Sequence, residues 1–238
     1  MPIDVDATAA CWEHTALSEA TASDFTSRAL AFSPADDGVH PFVGAAPVVP
    51  LRPVHDRFQR LLARRRSDRE FGRRRLSARS VERLLAATGP AADGRRVVPE
   101  AGGFDVVHAY AFARHVDGPC AGRTVRYDHR RHAIADVGTV PADATLRRLF
   151  LFDEAADLPQ LVVVFALDMR SLDAKYGPRG VRFALQQVGH AAQNVGLRMA
   201  HDRRRGYVLG GGLDVEILAE LGIAHVGARY GGAIACGR

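Results

Sequence analysis

Lysine is almost missing from this chain. Of 238 residues, 32 are lysine or arginine, and only Lys175 is a lysine. With abundant Ala, Gly and Pro, this is the residue usage of a GC-rich genome. Arginine runs at 64–66, 73–75 and 203–205 therefore read mostly as solvated faces. Cysteine is scarce as well. Cys11, Cys120 and Cys236 are odd in number and far apart, which excludes a zinc pattern and a disulfide framework and fits a reducing cytoplasm. The longest clean apolar run is Leu161–Leu167, far short of the roughly 20 residues of a membrane helix. The first residues carry acid rather than a basic region and an apolar stretch, so no secretory signal is expected. No GxGxxG, Walker, GxSxG or HExxH pattern occurs. Conventional dinucleotide and nucleoside-triphosphate folds are disfavoured accordingly.

What is present is ordinary for a globular protein: 47% hydrophobic and 25% charged residues. The net charge of +5 permits an acidic partner. The arginines show no nucleic-acid recognition motif and no interleaved aromatics, so nucleic acid is not expected.

Residues 1–53 read as an N-terminal arm, with one helix within 12–30. A stretch with Pro34, Pro41, Pro47, Pro50 and Pro53 follows and should be extended. A compact domain spans 54–238. Apolar spacing predicts a helix over 55–65. Ser77 caps a second helix that Gly89 ends. A Gly/Pro-rich loop covers 89–103. Strands are expected at 105–114, 123–128, 161–167 and 230–236, and helices at 145–152, 181–203 and 214–221. The 161–167 strand is apolar throughout and should be central. The 181–203 helix is apolar on more than one face, which suits the centre of a domain or of a dimer. The class is α+β.

Five groups carry potential chemistry. Arg65-Arg66-Ser67-Asp68-Arg69 can clamp a phosphate through guanidinium forks and a hydroxyl. In Pro99-Glu100-Ala101-Gly102-Gly103 the glycines let backbone approach a flat ligand. Lys175-Tyr176 joins an ammonium to a phenol, and a neighbouring positive charge favours the phenolate that a general base requires. Where nearly every cation is arginine, a lysine marks a position at which proton exchange has value. Gly189-His190-Ala191-Ala192-Gln193-Asn194 places polar groups in an apolar helix, where they need partners. Gly210-Gly211-Gly212 breaks the chain before a short helix.

The order of these groups resembles the nitroreductase superfamily. More narrowly, it resembles the SagB/McbC-type branch, flavin-dependent azoline dehydrogenases of ribosomal peptide natural-product pathways. The proline-rich arm with Trp12-Glu13-His14 near its start also fits that branch. The resemblance implies a nitroreductase-like α+β fold with a central mixed or antiparallel sheet, flanking helices and a long core helix. It also implies a homodimer with FMN at the interface. Arg65, Arg66, Ser67 and Arg69 would then grip the FMN phosphate and ribityl chain. Glu100, Ala101 and Gly102 would lie beside the isoalloxazine, with Gln193 and Asn194 near the flavin. Gly210 and Gly211 would offer backbone groups to the ring, and Arg238 would match a basic phosphate ligand.

Lys175 and Tyr176 match the branch's catalytic pair, with Tyr176 as base and Lys175 supporting it, or the reverse. The implied substrate is an azoline-containing precursor peptide, and a cyclodehydratase complex is an expected partner. The branch commonly has Ser where Glu100 stands and Leu-Tyr where Phe104-Asp105 stand, which puts flavin affinity and redox tuning in question. The competing readings are an NAD(P)H-dependent nitroreductase and a non-catalytic subunit of a peptide-modifying complex.

Overall fold

The computed structural model describes residues 5–31, 50–91 and 93–238. Its centre is a six-stranded sheet in the order β3-β2-β1-β4-β6-β5, with every neighbouring pair antiparallel. The strands are β1 (Val107–Ala113), β2 (Arg123–Asp128), β3 (Ala133–Thr139), β4 (Leu161–Leu167), β5 (Arg205–Leu209) and β6 (Arg229–Gly237).

Every residue of β4 is buried, because β1 and β6 flank it and both sheet faces are covered. Its alternate side chains feed two cores. Leu161, Val163, Phe165 and Leu167 join α4 (Ala78–Ala86) and α7 (Gly180–His201) on one face. Val162, Val164 and Ala166 join α5 (Asp143–Phe150) and α8 (Asp214–Glu220) on the other. Each large apolar side chain buried this way contributes about 1.5–3 kcal/mol.

Local signals set the helix ends. The Ser77 hydroxyl accepts from the Ser80 amide at the start of α4. Asp56 accepts from the Gln59 amide and so begins α3 (Arg57–Arg64). The first core takes one stripe of α7, including Val181, Ala184, Val188, Ala191 and Val195. Leu185 on another face is 46% exposed. Helix α3 buries none of its residues, and Phe58 is 61% exposed.

The arm holds two helices rather than one, α1 (Val5–Thr15) and α2 (Glu19–Ala31). The turn between them is pinned to the domain. The Leu17 amide donates to Asp214 Oδ2 (2.9 Å), and the Asp214 amide donates to the Leu17 carbonyl (3.1 Å). Pro50 and Pro53 lie in irregular chain; Pro34, Pro41 and Pro47 fall outside the described residues. The expected strands and domain helices all form. Strands β3 and β5 and helix α6 (Arg170–Tyr176) come in addition. Among the described residues, no helix is long and apolar enough to cross a membrane, and no cluster of side chains could hold a metal.

Candidate active site

The segment after Pro99 makes a tight turn. The Gly103 amide donates to the Glu100 carbonyl (3.4 Å), and the Phe104 amide to that of Ala101 (3.3 Å). Gly102 (φ 66°) and Gly103 (φ 75°) are both left-handed, a conformation that costs other residues roughly 1–2 kcal/mol. Gly102 faces the end of α6. A Cβ there would stand 2.8 Å from the Tyr176 hydroxyl and 3.2 Å from Lys175 Nζ. Such a Cβ would force the Tyr176 hydroxyl to shift and would crowd Lys175 Nζ.

Helix α6 ends at this pair because Gly177 turns left-handed (φ 56°) and Pro178 follows. The half-buried Tyr176 ring packs edge-on against Phe183 of α7, with centroids 4.9 Å apart. Lys175 Nζ lies 5.2 Å from the centre of the Phe104 ring and 5.3 Å from that of Tyr176. Both are cation–π distances. Thus Gly102, Lys175 and Tyr176, some seventy residues apart in the chain, form one cluster, with Phe104 and Phe183 as its walls.

Glu100 precedes the turn, largely buried beside Arg96 (3.6 Å). Burial pushes its carboxyl above the usual carboxylate range, against the pull of the Arg96 charge. Burial holds His108 and His129 below the usual imidazole value. Asn194 ties α7 to the same loop by donating to the Val97 carbonyl (3.2 Å). Gln193, one residue earlier, is exposed.

A second cluster forms near the other end of α7. Arg65 packs on Gly196, with its Cγ and Cδ 3.7 Å from where a Cβ would stand. Arg65 and Arg66 line a cavity of about 380 Å³ together with Arg64, Arg203, Arg204, Arg205 and one carboxylate, Asp68. Arg204 donates to the Ser80 hydroxyl (3.0 Å), and Arg205 sits 3.5 Å from Asp68. Among the described residues, no carboxylate pairs with Arg64, Arg65, Arg66 or Arg203. The 203–205 run, read in the sequence as a solvated face, is therefore half of a cationic cleft. Nothing local in the sequence signals this, because β5 carries that run back to the end of α3.

The remaining sequence candidates scatter. Ser67 is exposed at the cleft's edge. Arg69 stacks on Tyr207, 4.9 Å from its centroid. Arg238 is held by its backbone, donating to Gln160 Oε1 (3.2 Å) and accepting from the Gly72 amide (2.7 Å). Gly210 is open, whereas Gly211 lies under Leu17, Phe25 and Leu151. The structure does not bring these glycines to Gly102. From Phe183 to Gly196 is thirteen residues of α7, about 20 Å of helix, so the arginine cleft and the Lys175–Tyr176 cluster stand well apart within one chain.

Comparison with known proteins agrees with this architecture. The sequence model of the Nitroreductase family matches residues 62–238. A protein of Methanocaldococcus jannaschii that carries a nitroreductase name is 32% identical over 142 residues, covering 57% of this chain and 69% of its own. Among solved structures, the Escherichia coli microcin synthetase McbBCD complex with truncated pro-MccB17 bound contains a similar chain. It has a TM-score of 0.73 at 19% identity, with 92% of each chain covered. A Ralstonia eutropha structure bearing a nitroreductase name aligns with a TM-score of 0.65 at 19% identity, over 80% of this chain and 87% of that one. At such identities the structural likenesses speak to the fold. The match of the family model over most of the sequence does more: this chain belongs to the nitroreductase family.

Proposed function

We propose that this protein is an FMN-dependent dehydrogenase that oxidises azoline rings to azoles in a ribosomally made peptide. As a nitroreductase-family member it is a flavin oxidoreductase. The observation that carries the finer reading is the cluster at Gly102, where the chain's sole lysine and a phenol meet over a left-handed glycine turn. A structural neighbour from a peptide-modifying synthetase, aligned over 92% of this chain, supports the same choice.

The residues present fit a flavin mononucleotide. A cleft lined by Arg64, Arg65, Arg66 and Arg203, guanidiniums with no carboxylate partner among the described residues, suits a phosphate. Beside Gly103 nothing lies within 4 Å of where a Cβ would stand, which leaves room for a flat ring to approach backbone. When bound, FMN supplies the two-electron acceptor for hydride.

The chain's own part is proton handling and placement. Converting an azoline to an azole removes a proton from one ring carbon and a hydride from its neighbour. Tyr176 acts as the phenolate: its oxygen takes the proton and becomes the neutral hydroxyl, and the Lys175 ammonium beside it is the counter-charge to the phenolate before the transfer. Phe104 and Phe183 flank the pair, and Lys175 itself stays exposed, open to a substrate arriving from solvent. Arg65, Arg66, Ser67 and Arg69 bind and orient the cofactor, with Arg203 as an added member. Glu100, Ala101, Gly102, Gln193, Asn194, Gly210, Gly211 and Arg238 remain proposed cofactor contacts on the strength of the resemblance.

The 20 Å between the two clusters along α7 favours a homodimer, in which a second copy brings one cluster to the other. Exposed Phe58, Val54 and Leu185 supply an apolar surface for it. The arm at 1–53, the cytoplasmic location and the cyclodehydratase partner belong to the same reading.

The test is direct. The purified protein should show flavin absorption. Incubated in air with a thiazoline-containing peptide, it should remove two hydrogens from that peptide by mass spectrometry. An unchanged peptide, with steady NAD(P)H consumption in the presence of nitro compounds or quinones, would select nitroreductase activity instead. A protein that stays colourless with added FMN would select the non-catalytic subunit.

A further inference from the structure

Three segments meet at one buried guanidinium. The Arg96 side chain is only 10% exposed. Its Nη1 contacts Asp105 Oδ1 directly and lies 3.6 Å from Glu100 Oε1. It is also 3.3 Å from the ring nitrogens of His129, which sits on the hairpin joining β2 to β3. His129 Nε2 in turn lies 3.1 Å from Asp105 Oδ2. Glu100 and Asp105 are the two ends of the turn that has Gly102 at its apex. Both carboxylates are more than four-fifths buried, and like charges repel strongly away from water. Arg96 is the buried cation between both ends; the exposed Arg130 lies 3.7 Å from Asp105 Oδ2 from the solvent side. The Arg96 contacts with Asp105, Glu100 and His129 all converge on the one nitrogen Nη1, which the rigid planar guanidinium holds in place, whereas an ammonium ends a flexible stem.

We propose that Arg96 is a positioning residue that braces both ends of the 100–105 turn and thereby sets Gly102 against Lys175 and Tyr176. This rests on the reading of those two side chains as the reacting pair. The groups facing Glu100 are Arg96 and Arg130, which favour its ionised form, and Asp105, which opposes it. Removing Arg96 must therefore drive Glu100 toward its protonated state as well as loosen the turn.

The experiment uses Arg96→Met and Arg96→Lys in the full-length protein. Amide exchange is read at Gly103 and Phe104, whose bonds to Glu100 and Ala101 close the turn. The Glu100 carboxyl is titrated by carbon NMR, with assignment by Glu100→Gln. Turnover is measured on a thiazoline peptide. In Arg96→Met both amides should exchange about tenfold faster and Glu100 should titrate higher. The kcat should fall by about tenfold or more, as expected when a reacting group is misplaced by a fraction of an ångström, with KM within about twofold. Arg96→Lys should restore the titration and only part of kcat.

Unchanged exchange and titration would overturn the brace. Faster exchange with kcat intact would overturn the positioning role. Exchange and titration are read without any turnover, so they decide the brace even if the wild-type protein leaves azolines untouched. Should Arg96→Met fail to fold, Asp105→Asn replaces it. That change removes the opposing charge, so Glu100 should titrate lower, and no movement would count against the proposal.

Discussion

Adjacent glycines separate two consequences of adding a methyl group at the turn. Gly102 and Gly103 share a left-handed backbone, but a Cβ at Gly103 would meet nothing within 4 Å, whereas one at Gly102 would stand 2.8 Å from the Tyr176 hydroxyl. Gly102→Ala and Gly103→Ala should therefore cost similar stability, about 1–2 kcal/mol for an L residue at this φ. At this chain length that lowers Tm by about 2–8 °C. Only Gly102→Ala must also displace the phenol, by about 0.6 Å to reach the 3.4 Å of ordinary contact. Misplacing a reacting group by about 1 Å costs on the order of a hundredfold in rate, so a displacement of about 0.6 Å should cost about tenfold. The assay pairs thermal denaturation with kcat on a thiazoline peptide, both variants being saturated with FMN. Equal loss of activity in the two variants would assign the effect to backbone strain. Full activity in Gly102→Ala would refute the claim that the Lys175–Tyr176 pair works from its seat on the turn.

Three further outcomes follow from the same geometry. Lys175→Ala should abolish peptide oxidation while the flavin spectrum persists, because the lysine sits apart from the arginine cleft; retained turnover would remove it from the reaction. Arg66→Ala should weaken FMN binding by about tenfold, at the lower end of what a hydrogen bond to a charged group is worth. Fluorescence titration reads this directly, and an unchanged Kd would argue against the cleft as the phosphate seat. Asp214, largely buried beside Leu17, has its carboxyl pushed up to about 6 by burial, above the roughly 3.9 of the unfolded chain. The folded state thus binds the extra proton between about pH 4 and 6. That contribution to stability is full below pH 4 and is lost as pH rises through 6. Asp214→Asn keeps an acceptor for the Leu17 amide and removes the charge. It should therefore raise stability at pH 8 and leave it nearly unchanged at pH 4 in urea titrations. Equal effects at both pH values would count against this account.

The parts legible in the sequence are those whose cause is local. Leu161–Leu167 is apolar at every position, so its place at the centre of the sheet follows from composition alone. Ser77 announces α4 because its hydroxyl serves an amide three residues on. Strand β3 escaped because all of its residues but one are exposed, so no alternation marks it. Strand β5 escaped because it is short and opens from an arginine run. Helix α6 is a two-turn helix whose formation depends on Leu172 being buried among residues from distant segments.

The site divides along the same line. Lys175 stood out through rarity, a property of the whole composition. Tyr176 came with it as its neighbour. Arg203 was hidden by the same bias, since one arginine among many carries no information until the fold shows which of them lack a carboxylate partner. Arg96 was hidden for a different reason. Its partners Glu100 and Asp105 are near in sequence, but two acids and a base within ten residues are unremarkable until burial strips away the water that would otherwise screen them. His129 then arrives from a separate hairpin. What turns those four side chains into a device is desolvation, and desolvation is a property of the folded whole.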